Sequence, residues 1–290
     1  MTTKPYTFHL ARARRTERIA RLVAGAALWS IVALLVAIVV VIFAKGAASI
    51  SWDFLFTMPR QRMTEGGIWP ALFGTLALIG LTALAALPLG ISAGIYLSEY
   101  AKDSRPVRWL RMAIANMAGI PSVIYGLFGY AAFSLALGFQ KSLLAMGLTL
   151  ACVTLPLIIT TTEEALKQVP HELRSAALAL GATKWRTTYR IVLPAALPGI
   201  VTGAILSLSR AAGETAPILF TGVAFFAAVP QSVMQPSMAL PYHLYIMATQ
   251  PTTPAPHIVW GTALVLVGLL CIINALGALW RSRRRRKISW

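Results

Sequence analysis

Two oppositely charged residues, Arg210 and Glu214, lie deep in the apolar stretch GIVTGAILSLSRAAGETAPILF. Four residues apart on a helix, they share a face and can pair. A charge at mid-bilayer costs about 2.5–3.5 kcal/mol on insertion scales, so such residues face a bundle interior or a wet cavity. Two roles fit the pair. One is an internal ion pair that fixes helix packing. The other is a polar path for an oxyanion. In that role the planar fork of Arg210 donates two parallel hydrogen bonds. Glu214 holds the arginine and keeps it from gripping an anion too tightly. Ser207, Ser209 and Thr215 supply neutral donors, and Gly213 lets another backbone come close.

A second constellation is SAALALGATKWRTTYRIVLP, Ser175 to Pro194, part of a charge-bearing stretch of about thirty residues set between apolar runs. Pro170 suits the first position of a helix. HELRSAALAL then reads as helix, Gly181 as its left-handed terminus, and Thr183 as the cap of a second short helix, KWRTTYRIV. Pro194 opens the next apolar run. The spacing predicts a helix–turn–helix with an apolar stripe around Ala176 and Leu180, a shape suited to binding a partner.

The surrounding elements must be membrane helices. Hydrophobic residues make up 57% of the 290, and charged residues only 12%, about half the share of a soluble domain. Mean hydropathy is +0.70. Runs near the roughly 20 residues that cross a bilayer occur at Leu22–Ala44, 69–97, 112–137, 143–162, 195–228 and Ile258–Trp280. Pro88 and Gly90 suggest a kink in the second. The first run is longer than the 7–15 apolar residues of a signal peptide, so it reads as a retained helix. Six spans place both ends on one side. Lys and Arg in alternate loops number twenty-one against four in the opposite loops, so both termini are expected in the cytoplasm. The expected division is a basic tail (1–21), a first span with an external loop (22–68), a core of five spans carrying the cytoplasmic segment 163–194 (69–280), and a second basic tail (281–290). The fold class is all-α integral membrane protein, multi-pass.

Other signals exclude more than they propose. Cys152 and Cys271 sit in apolar runs with no ligand spacing, and His9, His171, His243 and His257 lack partners at metal spacing. The net charge of +17 falls in clusters between apolar runs, not on a soluble nucleic-acid-binding face. Glu163 and Glu164 are expected to begin a cytoplasmic helical turn, where acids favour the dipole. No GxxxxGK[ST] loop occurs, so the chain is not expected to be an ATPase. The proline-rich external stretch 228–256 carries no Lys, Arg, Asp or Glu and reads as a connector or as a docking surface.

The spacing Ser175-Ala176-Ala177, three residues, Gly181, nine residues, Ile191-x-Leu193-Pro194 resembles the EAA signature of the membrane subunits of bacterial ABC importers. The family's leading Glu is Ser175 here, and Glu172 stands one turn earlier. LPLGISAGIYLSEYA, GIPSVIYGLFG and LSRAAGETAPILFTG look like the permeases of phosphate importers, a resemblance covering most of residues 70–280. The run Gly213–Pro217 looks more like the PstA-type subunit than its PstC-type partner. The resemblance implies a type I importer permease fold of six transmembrane helices with a cytoplasmic coupling helix. Glu172, Ser175, Ala176, Ala177, Gly181, Ala182, Trp185, Ile191, Leu193 and Pro194 would dock and couple the ATPase. It further implies translocation of inorganic phosphate across the plasma (inner) membrane by alternating access. The partners would be a second permease subunit (PstC type), two ATP-binding subunits that use ATP and Mg, an external phosphate-binding protein and the lipid bilayer. No cofactor of this chain itself is implied. The competing readings are a permease of the same class for phosphonate, sulfate or molybdate, a stand-alone secondary transporter, and a membrane scaffold. A secondary transporter predicts internal repeats and several intramembrane carboxylates. No convincing repeat is visible, and Glu214 is the sole acid deep in a span. A scaffold leaves the Arg210–Glu214 pair no purpose beyond packing.

Overall fold

The computed structural model describes residues 6–63, 65–250 and 255–285. The described residues are mostly helical, as the apolar runs require, with a two-residue hairpin among them (β1, Pro59–Arg60; β2, Glu65–Gly66). The first helix, α1 (Tyr6–Gly46), has 41 residues, about 60 Å at 1.5 Å per residue. The expected basic tail is therefore helical from Tyr6 and continuous with the first span, while residues 1–5 lie outside the described residues. A short helix, α2 (Trp52–Phe56), is capped by Ser51, which accepts from the Phe54 amide.

The bundle is built around α3 (Trp69–Ile95) and α6 (Leu143–Lys167). More than half of the apolar window of α6 is buried, against none of that of α1, so α6 is the central column and α1 an outer one. Small residues bring the columns together. A Cβ at Gly90 would meet Ile158 Cγ2 at 2.6 Å, and one at Gly94 would meet Thr162 Cβ at 2.7 Å. Van der Waals contact of this kind is the main source of helix association in lipid, where no hydrophobic drive separates helix from solvent. The kink expected at Pro88 and Gly90 does not end α3, which closes in a π-helical turn at Tyr96–Tyr100.

Three expectations need correction. The third span, expected as one helix over 112–137, is a bent pair. An amphipathic helix, α4 (Arg105–Met117), meets α5 (Ser122–Gly129), which continues as a π turn to Ala136, at 101°. The break falls at Gly119-Ile120-Pro121, because proline biases the residue before it away from the helical region. Among the described residues five helices are long and apolar enough to span, and the bent pair, taken as one span, brings the number to six. The fifth span, expected over 195–228, stops early. Helix α9 (Leu193–Gly213) ends at Glu214, whose backbone is extended, and a separate short helix, α10 (Ala216–Thr221), follows. Pro217 has no N–H to offer the Gly213 carbonyl, which removes the bond that would carry the helix across. Glu163 and Glu164 end α6 instead of beginning a turn. The dipole is unfavourable there, and Glu163 is balanced by Arg111 (3.0 Å) and Lys167 (2.7 Å).

The proline-rich stretch 228–250, expected outside, folds back into the bundle. Gln235 and Val233 carbonyls accept from the Leu143 and Leu144 amides at 2.8 and 2.9 Å, and Ser142 Oγ accepts from Ala145. Together they satisfy the open N-terminus of α6. Thr75 Oγ1 accepts from the Leu240 amide at 2.8 Å, fixing helix α11 (Leu240–Thr249) beside α3. The last helix, α12 (Pro256–Arg285), returns through the bundle; residues 251–254 and 286–290 lie outside the described residues.

Candidate functional site

The segment Val169–Pro194 forms the knuckle expected from its residues. Helix α7 (His171–Ala179) is preceded by Pro170 as its N-cap, one position before the site expected. It ends in a Schellman motif. The Gly181 amide donates to the Leu178 carbonyl at 3.0 Å and the Ala182 amide to that of Ala177 at 3.1 Å. Gly181 takes φ +78°, a conformation only glycine adopts without strain. Thr183 then caps α8 (Lys184–Thr187), its hydroxyl accepting from the Arg186 amide. Helix α8 does not stop. It passes through a π turn at Thr188–Val192 into α9, so Lys184–Gly213 is one continuous span. The wider turn lies just before Pro194, where the helical ladder loses a donor.

The knuckle has two faces. Leu173 and Ala177 of α7 face the bundle, where Val192 and Leu193 join a core cluster with Leu166 and Ile200. Within the Ile191-x-Leu193-Pro194 run the middle residue, Val192, is the fully buried one; Ile191 is half-buried and Pro194 exposed. The outer face carries Glu172, Ser175, Ala176 and Gly181, all exposed, with Ala182 half-buried. Ser175 donates its hydroxyl to the His171 carbonyl, and Glu172 makes no ion pair among the described residues. Leu180 is 89% exposed, and Leu178, Trp185 and Tyr189 of the same segment are exposed as well. Trp185 and Tyr189 stack with ring centroids 6.1 Å apart. A rigid aromatic pair and a bare leucine in one segment are costly in water and suit a docking surface.

One attachment escapes sequence reasoning. Arg174, counted only as a loop cation, forks onto Glu99 at the end of α3, Nη2 to Oε1 at 2.8 Å and Nε to Oε2 at 3.3 Å. No local period links residues 75 positions apart.

A cleft of about 280 Å³ lies between the two helix breaks. Met117–Ser122 of the α4–α5 break form one side, and Ser207, Arg210, Ala211 and Glu214 at the end of α9 another. Thr154 and Leu157 of α6, with Tyr125 of α5, complete it. Tyr125 Oη donates to the Met117 carbonyl at 2.9 Å and ties the first break. Irregular backbone at membrane depth is tolerated only where it is buried or lines a wet cavity, so the position of both breaks on one cleft is coherent. Arg210 is the one cation among the residues lining it. Its Nε lies 3.6 Å from Glu214 Oε1. The four residues expected on a path separate here. Arg210, Glu214 and Ser207 line the cleft, and Thr215 does not. Ser207 spends its proton on the Gly203 carbonyl (2.8 Å), so it can only accept. Ser209 points away and bonds Asn274 of α12.

Comparison with known proteins places these features in context. Residues 86–286 match the family described as the binding-protein-dependent transport system inner membrane component. The chain is 40% identical over 233 residues to the phosphate transport system permease protein PstA 1 of Mycobacterium tuberculosis, covering 79% of this chain and 74% of that one. It is 38% identical over 255 residues to PstA of Mycobacterium leprae, covering 86% and 83%. Among solved structures, a chain of a bacterial alginate ABC transporter, bound to a periplasmic protein carrying alginate pentasaccharide, superposes with a TM-score of 0.63 at 14% identity. That match covers 92% of this chain and 94% of the other.

Proposed function

We propose how this chain works as a member of the family to which it belongs, the inner membrane components of binding-protein-dependent transport systems. It is the permease component of an ABC importer and lies in the inner membrane. Its cargo is inorganic phosphate. The observation that carries this reading is Arg210, a cation at the end of a broken membrane helix, open to a cleft that accommodates a small oxyanion and several waters at about 30 Å³ each. The N-terminus of α5 opens on the same cleft at Pro121 and Ser122, and a helix N-terminus favours an anion. The names of the two mycobacterial relatives support phosphate over other oxyanions.

The cleft is one side of a path, and a second permease subunit of the PstC type supplies the other. The exposed Leu180, Trp185 and Tyr189 of the knuckle dock one of two ATP-binding subunits, which use ATP and Mg; this chain binds no cofactor itself. An external phosphate-binding protein delivers the anion at the opposite end of α3. The knuckle end gathers the clustered cations Lys102, Arg105, Arg108, Arg111, Lys184, Arg186 and Arg190, so it faces the cytoplasm, with both termini, by the positive-inside rule.

The test is purification of the chain with its native partners, reconstitution in vesicles, and uptake of labelled phosphate. ATP-dependent uptake, blocked by vanadate and resistant to excess sulfate, molybdate and phosphonate, is expected. Uptake driven by an ion gradient without ATP, equal competition by sulfate, or absence of a co-purifying ATPase would overturn the reading.

A further inference from the structure

We propose that Glu99 and Arg174 form the rigid joint through which movement of the coupling knuckle reaches the transmembrane helices. This inference rests on the reading of the knuckle as the ATPase-docking segment and adds the residues that transmit the motion. Both side chains are largely buried, Arg174 16% exposed and Glu99 8%, although they lie beside an exposed cytoplasmic segment. Every nitrogen of the guanidinium is engaged. Nε and Nη2 hold the two carboxylate oxygens of Glu99, Nη2 also donates to the Leu166 carbonyl (2.9 Å), and Nη1 donates to the Val169 carbonyl (2.6 Å). Those carbonyls belong to the last turn of α6 and the residues just past it, where the helical ladder runs out; that of Leu166 also accepts from the Val169 amide at 3.2 Å. One side chain therefore clamps α7 to the ends of α3 and α6 together. A lysine, a point charge with rotating donors, cannot reproduce the fork.

The joint continues toward the cleft. Glu99 lies in the π turn Tyr96–Tyr100, and the carbonyl of Leu97 in that turn accepts from Arg111 Nη2 at 2.9 Å. Arg111 belongs to α4 and also pairs with Glu163 of α6. Helix α4 ends at Met117, on the rim of the cleft. Two arginines thus meet at one irregular turn, the largely buried Arg174 from the knuckle and the half-buried Arg111 from the helix that shapes the cleft. The other half of the knuckle reaches the same cleft separately, because α8 is continuous with α9 as far as Arg210. By contrast, Gly181, where the two halves of the knuckle meet, has open space around it. Displacement of α7 is therefore borne by the arginine clamp and not by packing at the turn.

The experiment compares wild type with Glu99→Gln, Arg174→Lys and Arg174→Ala in the complete complex, measuring phosphate uptake and ATP hydrolysis in the same vesicles. The expected result is retained association with the ATPase subunits and hydrolysis within about twofold of wild type. Phosphate carried per ATP falls at least tenfold. Lysine at 174 fails nearly as badly as alanine. In a background with Cys152→Ser and Cys271→Ser, the pair Glu99→Cys with Arg174→Cys, joined by a short bifunctional thiol reagent, regains most of the lost coupling without restoring any charge. The proposal is overturned if uptake and hydrolysis fall in proportion, if the ratio does not change, if Glu99→Gln fails to assemble, or if the cross-link restores nothing. Failure of the docking reading looks different: wild type itself recruits no ATPase.

Discussion

Arg210 and Glu214 stand 3.6 Å apart at the end of α9, the arginine side chain 65% exposed and the carboxylate 19%. Glu99 and Arg174, at 2.8 Å, are four times less exposed on the arginine side. That contrast favours the anion path over the packing role for the first pair. An ion pair with one arm open to a wet cleft contributes at most about 1 kcal/mol. On the proposed reading, Arg210 is therefore the anion contact, and Arg174 is the clasp.

Glu214→Gln should leave the fold intact and alter turnover. The carboxylate competes with an incoming oxyanion for Arg210, so its loss strengthens anion retention. Phosphate uptake is expected to show a lower KM together with a kcat reduced by about threefold to tenfold. An unchanged KM and kcat would separate Glu214 from the path.

Gly181→Ala places a Cβ in open space, so its cost is backbone strain alone, about 1–2 kcal/mol. Gly181→Trp adds bulk at an exposed turn, where a docked partner would meet it. Thermal unfolding of the two variants should be similar, while stimulation of the partner ATPase is lost only in the second. Equal stimulation in both would remove this turn from the interface.

Trp185→Ala removes an exposed ring whose one aromatic neighbour is Tyr189. Stability should move by less than about 0.5 kcal/mol. Binding of the ATPase subunit should weaken by about 2 kcal/mol or more if the ring is an anchor, some thirtyfold in a pull-down titration. Retained affinity would move the docking surface elsewhere.

His243 is buried in α11, 3% exposed, with both ring nitrogens unpartnered. Burial pushes its pKa down to about 4 from the ordinary 6.5. The unfolded chain then binds a proton that the folded one refuses. Stability is fully present above about pH 6.5 and falls as pH drops toward 4, by up to about 3 kcal/mol. His243→Gln should flatten that part of the pH dependence of thermal unfolding in detergent. A variant with wild-type acid sensitivity would place the origin in other groups.

Much of the knuckle was legible because its signals are local. Gly181, Thr183 and the apolar stripe each act within one turn of the chain. The helix breaks carried signals of the same kind, Pro121 after Gly119 and Pro217 four residues after Gly213, but the long apolar runs outweighed them when length alone defined a span. The role of Arg174 was not legible. Its carboxylate lies on another helix, and only the packing of α3 against α6 brings the two together. Glu163 was misread for a related reason, because α6 runs past its apolar stretch to Lys167.

The most direct test of the central claim is phosphate uptake by the reconstituted complex carrying Arg210→Ala or Arg210→Lys. With the knuckle untouched, ATPase association should remain at wild-type level. Uptake should fall at least a hundredfold for alanine and recover partly for lysine, a point charge without the fork. Wild-type uptake by the alanine variant would contradict the account.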